Sequence, residues 1–127
     1  MILIVDDDEA MAENCSMFLE SQGFEVTVAC SGDEALGRIR HTAPELLISD
    51  YEMPGMTGVQ LSERLRSDPD TARLPILLMS GCLRSEIGGA NSVDGFLRKP
   101  FLAENLLIEV RKLLLGLSST PSKYIKD

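Results

Sequence analysis

The stretch Leu46-Leu47-Ile48-Ser49-Asp50-Tyr51-Glu52-Met53-Pro54-Gly55-Met56-Thr57-Gly58 passes from an apolar run to an acid and then to a loop with proline and glycine. A run this short, closed by turn residues, reads as a strand buried on both faces. Asp50 then stands at its carboxyl end. The pattern recurs on either side. Ile2-Leu3-Ile4-Val5 leads into Asp6-Asp7-Asp8, residues 74–79 into Ser80-Gly81, and residues 94–98 into Lys99-Pro100. Residues 24–29 alternate, with β-branched content, and supply one more strand.

Between these runs the apolar residues fall at helical spacing. Met11, Cys15, Phe18, Leu19 and Gln22 repeat until Gly23 stops the helix. Ser31 or Asp33 can cap a helix carrying Ala35, Leu36 and Ile39. Val59, Leu61 and Leu65 mark another, which Asp68-Pro69 breaks. Residues 84–91 predict one weak helix. Residues 103–117 predict the last, with Leu106, Val110, Leu113 and Leu117 as its core stripe. Strands alternating with helices define an α/β fold with a parallel five-stranded sheet and helices on both faces. Residues 1–117 form one domain, and 118–127 read as a polar tail or the start of a linker.

Bulk properties narrow the function. At 127 residues the chain fits one domain, and 44% hydrophobic content suffices for a packed core. The net charge of -8 argues against direct contact with nucleic acid, which needs a basic face. Met1 runs straight into an apolar strand without the basic start of a signal peptide, and no apolar run could span a bilayer. Cys15, Cys30 and Cys82 sit at no metal-ligand spacing. Free thiols and no leader give the expectation of a cytoplasmic protein without membrane contact.

In a parallel α/β sheet, ligands bind outside the carboxyl ends of the strands. Asp6, Asp7, Asp8, Asp50, Ser80 and Lys99 all fall at that edge. Each has a plain reading alone: helix cap, turn residue, loop hydroxyl, solvated charge. Together they mean more. Several carboxylates at one edge repel one another, and one lysine cannot neutralise them. A divalent cation can, and Mg²⁺ takes carboxylate oxygens while keeping waters that a phosphate can displace. Asp8 is expected to act only as a helix cap.

Ile2-Leu3-Ile4-Val5-Asp6-Asp7, the stretch 46–58, Leu78-Met79-Ser80-Gly81 and Phe96-Leu97-Arg98-Lys99-Pro100-Phe101 occur in an order that resembles the response-regulator receiver domain of two-component signalling. The match covers residues 1–117. It implies a flavodoxin-like (βα)5 fold with strand order 2-1-3-4-5. It also implies a partner, a sensor histidine kinase or histidine phosphotransfer protein, that passes a phosphoryl group to Asp50. By the resemblance, Asp7, Asp50 and the backbone carbonyl of Glu52 hold Mg²⁺, with Asp6 acting through water. Lys99 pairs with a phosphoryl oxygen and Ser80 donates to another. Phe96 occupies the place of an aromatic that turns inward on switching, where the family often has Tyr. Lys99-Pro100 is a peptide the family tends to hold cis.

Two features depart from that pattern. Ser80 and Lys99 are 19 residues apart, a few fewer than the family leads one to expect. Gly88-Gly89 weakens helicity in the same stretch. A short, mobile or irregular element is therefore expected there, and nonstandard partner recognition with it. Ile108 and Leu115 fall opposite the core stripe of the last helix and suggest a homodimer or output partner through residues 81–117.

Two other functions compete. Asp6-x-Asp8 after an apolar strand resembles the acid pair of a haloacid-dehalogenase-type phosphohydrolase. The Thr or Val expected after it is missing, as is a late second acid pair, and the chain is short. A pseudo-receiver that never carries phosphate would act as an interaction module, yet nothing needed for phosphorylation is missing. The residues after Leu117 fit a stand-alone receiver, a piece of a larger regulator, or a piece of a hybrid kinase. No DNA-binding or catalytic output segment is legible among them.

Overall fold

The computed structural model describes residues 1–116. β1 (Ile2–Val5), α1 (Glu9–Ser21), β2 (Val26–Ala29), α2 (Gly32–Thr42) and β3 (Leu46–Asp50) form the first half. α3 (Gly58–Arg66), β4 (Ile76–Ser80), β5 (Gly95–Arg98) and α4 (Ala103–Leu114) follow. The strands pair in parallel, in the order β2-β1-β3-β4-β5. This is the flavodoxin-like arrangement expected above.

The alternation of side chains along a strand explains why the runs are apolar throughout. Leu3, Val5, Leu47, Ile76 and Leu78 point into a core shared with Ala35, Ile39, Val59, Leu61 and Leu65 of α2 and α3. Ile2, Ile4, Leu46, Ile48, Leu77 and Met79 point to the other face, toward Ala12, Cys15, Leu19, Leu106, Val110 and Leu113 of α1 and α4. Each such aliphatic side chain contributes about 1.5–3 kcal/mol on burial. A polar residue on either face would forfeit that, so only the strand ends are open to chemistry.

Caps set the helix starts. Asp8 accepts the amides of Ala10 and Met11 at 3.1 and 3.2 Å, confirming its role as a cap. Ser31, not Asp33, caps α2 through the Glu34 amide. Thr57 and Gln60 form a reciprocal capping box at α3.

Four boundaries differ from the sequence reading, the smallest being β5, which begins at Gly95, one residue late. β2 begins at Val26, two residues late. β4 begins at Ile76, because Leu74 closes a turn onto Thr71 and Pro75 has no amide to donate. α4 ends at Leu114 with Gly116 at φ +84°, a conformation that stops a helix. Leu117, assigned to the core stripe, lies outside the described residues. The other three stripe residues are buried, while Ile108 and Leu115 are exposed as expected.

The stretch 84–91 is not one helix. It holds two single 3-10 turns, Arg84–Glu86 and Ala90–Ser92, with Gly89 at φ +78° between them. The expected short, irregular element is therefore present. The Lys99–Pro100 peptide is cis.

Candidate phosphoacceptor site

Register brings the strand-end residues together. Val5 lies opposite Ser49, which sets Asp6 beside Asp50. Asp50 lies opposite Met79, and Ser80 opposite Arg98, so Ser80 and Lys99 follow on the next two strands. The Lys99 amide donates to the Ser80 carbonyl at 2.7 Å, which extends the β4–β5 pairing to the site itself.

Carboxylate oxygens of Asp6, Asp7 and Asp50 lie within 4.8 Å of one another. Asp6 and Asp50 are buried, whereas Asp7 is exposed. Lys99 Nζ stands 2.7 Å from Asp50 Oδ1 and 3.8 Å from Asp6 Oδ2. Asp6 Oδ1 accepts the Asp8 amide at 3.0 Å, but Asp6 Oδ2 is buried without a hydrogen-bond partner. An orphaned buried carboxylate oxygen costs free energy unless something positive meets it. With two more carboxylates in reach, the donor set fits a hard divalent cation.

The electrostatics agree. Burial pushes the Asp50 carboxyl above its usual range, against the hydrogen bond and charge of Lys99. Burial also raises Asp6, opposed by the Asp8 amide and reinforced by the charge of Asp50. Burial would lower Lys99, but its hydrogen bond to Asp50 and the charges of Asp50 and Asp6 hold it above normal.

Ser80 is buried, and its Oγ accepts the Cys82 amide at 2.9 Å. That bond leaves the hydroxyl proton of Ser80 unused. Glu52 is exposed in the loop after β3. Phe96 is partly buried against the core that α2 and α3 share.

Sequence reasoning missed the role of Gly58, which it took for ordinary loop punctuation. A Cβ there would run into the Asp50 carbonyl oxygen, and would meet Leu78 Cδ1 at 2.7 Å and Ser49 Oγ at 3.0 Å. The Gly58 amide donates to the Tyr51 carbonyl at 2.9 Å, and Ser49 Oγ donates to the Asp50 carbonyl at 2.9 Å. The loop is thus folded back onto the strand end that carries Asp50. Only the closeness of glycine to that acid could have signalled it.

Such a sheet, with an acid cluster, a hydroxyl and a lysine at its carboxyl edge, defines a receiver-type signalling module. The family description that matches residues 2–111 is the response regulator receiver domain. This chain belongs to that family. It is 38% identical over 116 residues to the phosphate regulon transcriptional regulatory protein PhoB of Rhizobium meliloti, covering 89% of this chain and 51% of that protein. The chain spans about half the length of the curated relatives it matches. Among solved structures, the signal receiver domain of a signal transduction histidine kinase from Syntrophus aciditrophicus superposes with a TM-score of 0.84. It is 31% identical, with 99% of this chain and 96% of that one covered. The response regulator TrrA of Thermotoga maritima, solved in complex with Mg²⁺-BeF, gives 0.81 at 28% identity over 88% of this chain and 96% of that one.

The chain is therefore a receiver domain of two-component signalling, and such domains are signalling modules. The Asp8 carboxylate caps α1 through Oδ1.

Proposed function

We propose that Asp50 of this domain accepts a phosphoryl group from a partner phosphohistidine, with Mg²⁺ present, and that Ser80 carries the consequence to the β4–β5 segment. The observation that carries the reading is the Lys99 ammonium 2.7 Å from Asp50 Oδ1, beside two further carboxylates. The partner is a sensor histidine kinase or a histidine phosphotransfer protein.

The Asp50 carboxylate attacks phosphorus in line. The O–P bond forms as the N–P bond to the imidazole breaks, and the imidazole nitrogen keeps the electron pair. Asp6, Asp7, Asp50 and the Glu52 carbonyl would hold Mg²⁺, Asp6 through water. The metal would offset charge on the transferring group. Lys99 moves from the carboxylate to a phosphoryl oxygen as a point charge. Ser80 donates to another oxygen, which draws the start of the segment with it. Phe96 can follow only by ring packing, since it has no hydroxyl.

Magnesium-dependent labelling by acetyl phosphate, read by intact mass, tests this. One phosphoryl group per chain, lost in Asp50→Asn, is expected. A folded wild-type chain that takes up none would favour the pseudo-receiver.

Among the described residues no helix is long and apolar enough to cross a membrane, and the cytoplasm suits a kinase partner. The acidic charge argues against nucleic acid on this domain itself. It does not extend to a whole protein, since PhoB is named a transcriptional regulator and is about twice as long as the match. In a longer protein of that kind, DNA would be the output of the attached domain and not of this one. Ile108 and Leu115, 55% and 77% exposed, would be covered by a second copy. Replacing both with Lys lowers self-association by sedimentation if so; no change removes the idea.

A further inference from the structure

The β4–β5 segment is short, but it is anchored. Ile87 and Val93 are buried in the same core as Val59, Leu61 and Leu65 of α3. Ser92 Oγ hydrogen-bonds Ser62 Oγ, which is buried on α3 and also donates to the Val59 carbonyl at 2.7 Å. With the Ser62 proton on Val59, the single Ser92 hydroxyl proton goes to Ser62, and the Ser92 amide donates to the Gly89 carbonyl at 3.1 Å. Gly89 lies so close to α3 that a Cβ would meet Glu63 Oε2 at 2.7 Å and Val59 Cγ1 at 2.8 Å. No regular helix stands between β4 and β5 to carry a displacement as a rigid rod.

We propose that the anchored segment couples the phosphoacceptor site to α3, with Ser92–Ser62 and the Gly89–Val59 contact as the positioning link. The inference rests on the phosphoacceptor reading of Asp50. Ser80 begins the segment, and its hydroxyl is held by the Cys82 amide two residues on. When Ser80 turns toward a phosphoryl oxygen, Cys82 and the turn Arg84–Glu86 are pulled. Ile87 sits at the end of that turn, already inside the α3 core. Packed cores do not deform continuously. The displacement must shift α3 or break its bond to Ser92, and either outcome changes the α3 surface. A switch element is thereby moved from the β4–β5 segment to the helix beneath it.

The test uses the chain with Mg²⁺ and beryllofluoride, read by amide chemical shifts. Residues 50–51 and 80–82 report loading of the site, and residues 59–66 report α3. Wild type changes at both. Ser92→Ala keeps the site changes and reduces the α3 changes by roughly twofold or more. Ser85→Ala, exposed and without a contact to α3 in the hydrogen bonds above, matches wild type. Site changes with a silent α3, or equal α3 changes in Ser92→Ala and wild type, overturn the coupling alone. No change at either place overturns the phosphoacceptor reading, and the coupling falls with it.

Discussion

Lys99 Nζ contacts Asp50 Oδ1 at 2.7 Å while holding Asp6 Oδ2 at 3.8 Å, so one ammonium spans the acids of two neighbouring strands. It is the only cation in an ion pair with either acid among the described residues. On the proposed reading it would oppose Mg²⁺ in the resting site and support phosphoryl oxygens in the loaded one. Lys99→Met should therefore split the two steps. Mg²⁺ binding should tighten by about 1 kcal/mol, roughly fivefold, for loss of one partly screened charge a few ångströms away. Beryllofluoride-induced changes at residues 80–82 should weaken. Calorimetry for the metal and chemical shifts for the second step check this. Weaker Mg²⁺ binding by Lys99→Met would contradict the charge argument.

The metal-free site carries a pH signature. Burial holds Asp50 and Asp6 above the usual carboxyl value of 3.8. The folded state therefore binds protons more readily than the unfolded chain. The resulting stabilisation is complete below the unfolded value and is lost as pH rises through the folded one. At neutral pH both carboxylates are a liability that Lys99 offsets only in part, since burial outweighs its charge at each. Without metal, Asp50→Asn should melt a few degrees higher than wild type at pH 7, and the gap should close at acid pH. Adding Mg²⁺ should raise the wild-type melting temperature and leave Asp50→Asn nearly unmoved. A thermal scan in which Asp50→Asn is the less stable protein at pH 7 would count against the scheme.

Gly58 is a sharper test of architecture than of charge. Its missing side chain leaves room for the Asp50 carbonyl, for Leu78 and for Ser49. All three are strand residues, and Ser49 and Asp50 cannot give way without moving the end of β3 that carries the Asp50 carboxylate. Gly58→Ala should cost about 1–3 kcal/mol by overpacking. It should also slow Mg²⁺-dependent phosphorylation more than Gly37→Ala, where nothing lies within 4 Å of the added methyl. Equal denaturation midpoints for the two variants would refute the close-approach account.

What the sequence reveals, and what it hides, follows from range. Strands buried on both faces must be apolar throughout, so Ile2–Val5 and Leu46–Asp50 are legible, and the acids at their ends follow at once. The convergence of Asp6, Asp50, Ser80 and Lys99 is legible because parallel order puts all carboxyl ends on one edge. Contacts that depend on neither period nor strand end are not. Ser62 and Ser92 are 30 residues apart, and nothing in either neighbourhood predicts their bond. Arg66 pairs with Asp94 at 2.6 Å, and Asp94 also accepts the Ile76 amide. That carboxylate sits at the start of β5 instead of lengthening the strand, which local pattern cannot foretell. The break of 84–91 into two turns is half legible: Gly88-Gly89 announces weak helicity, but not which turns survive.

A last prediction lies away from the site, where Glu34 accepts four hydrogen bonds, two from Cys30 and two from Arg38. The Cys30 amide binds Oε1 at 2.9 Å, the Cys30 thiol donates to the same oxygen at 3.0 Å, and Arg38 reaches Oε2 at 2.9 Å. The Cys30 amide, then its thiol and Arg38, hold the Glu34 carboxyl down at about 2. A depressed carboxyl stabilises the fold above its unfolded value, and the contribution disappears as pH falls from about 4.5 toward 2. Because the side chain is more than a third exposed, Glu34→Gln should cost only about 0.5–1 kcal/mol at pH 7 after solvent screening. The same hydrogen bond and charge raise the Cys30 thiol, which keeps an exposed cysteine in its less nucleophilic form. Glu34→Gln should therefore speed alkylation of Cys30 by iodoacetamide near neutral pH, while buried Cys15 stays slow. Both arms can be followed on one sample by peptide mass mapping during urea titration. An unchanged Cys30 rate in a folded Glu34→Gln protein would show that the thiol is governed by something other than this carboxylate.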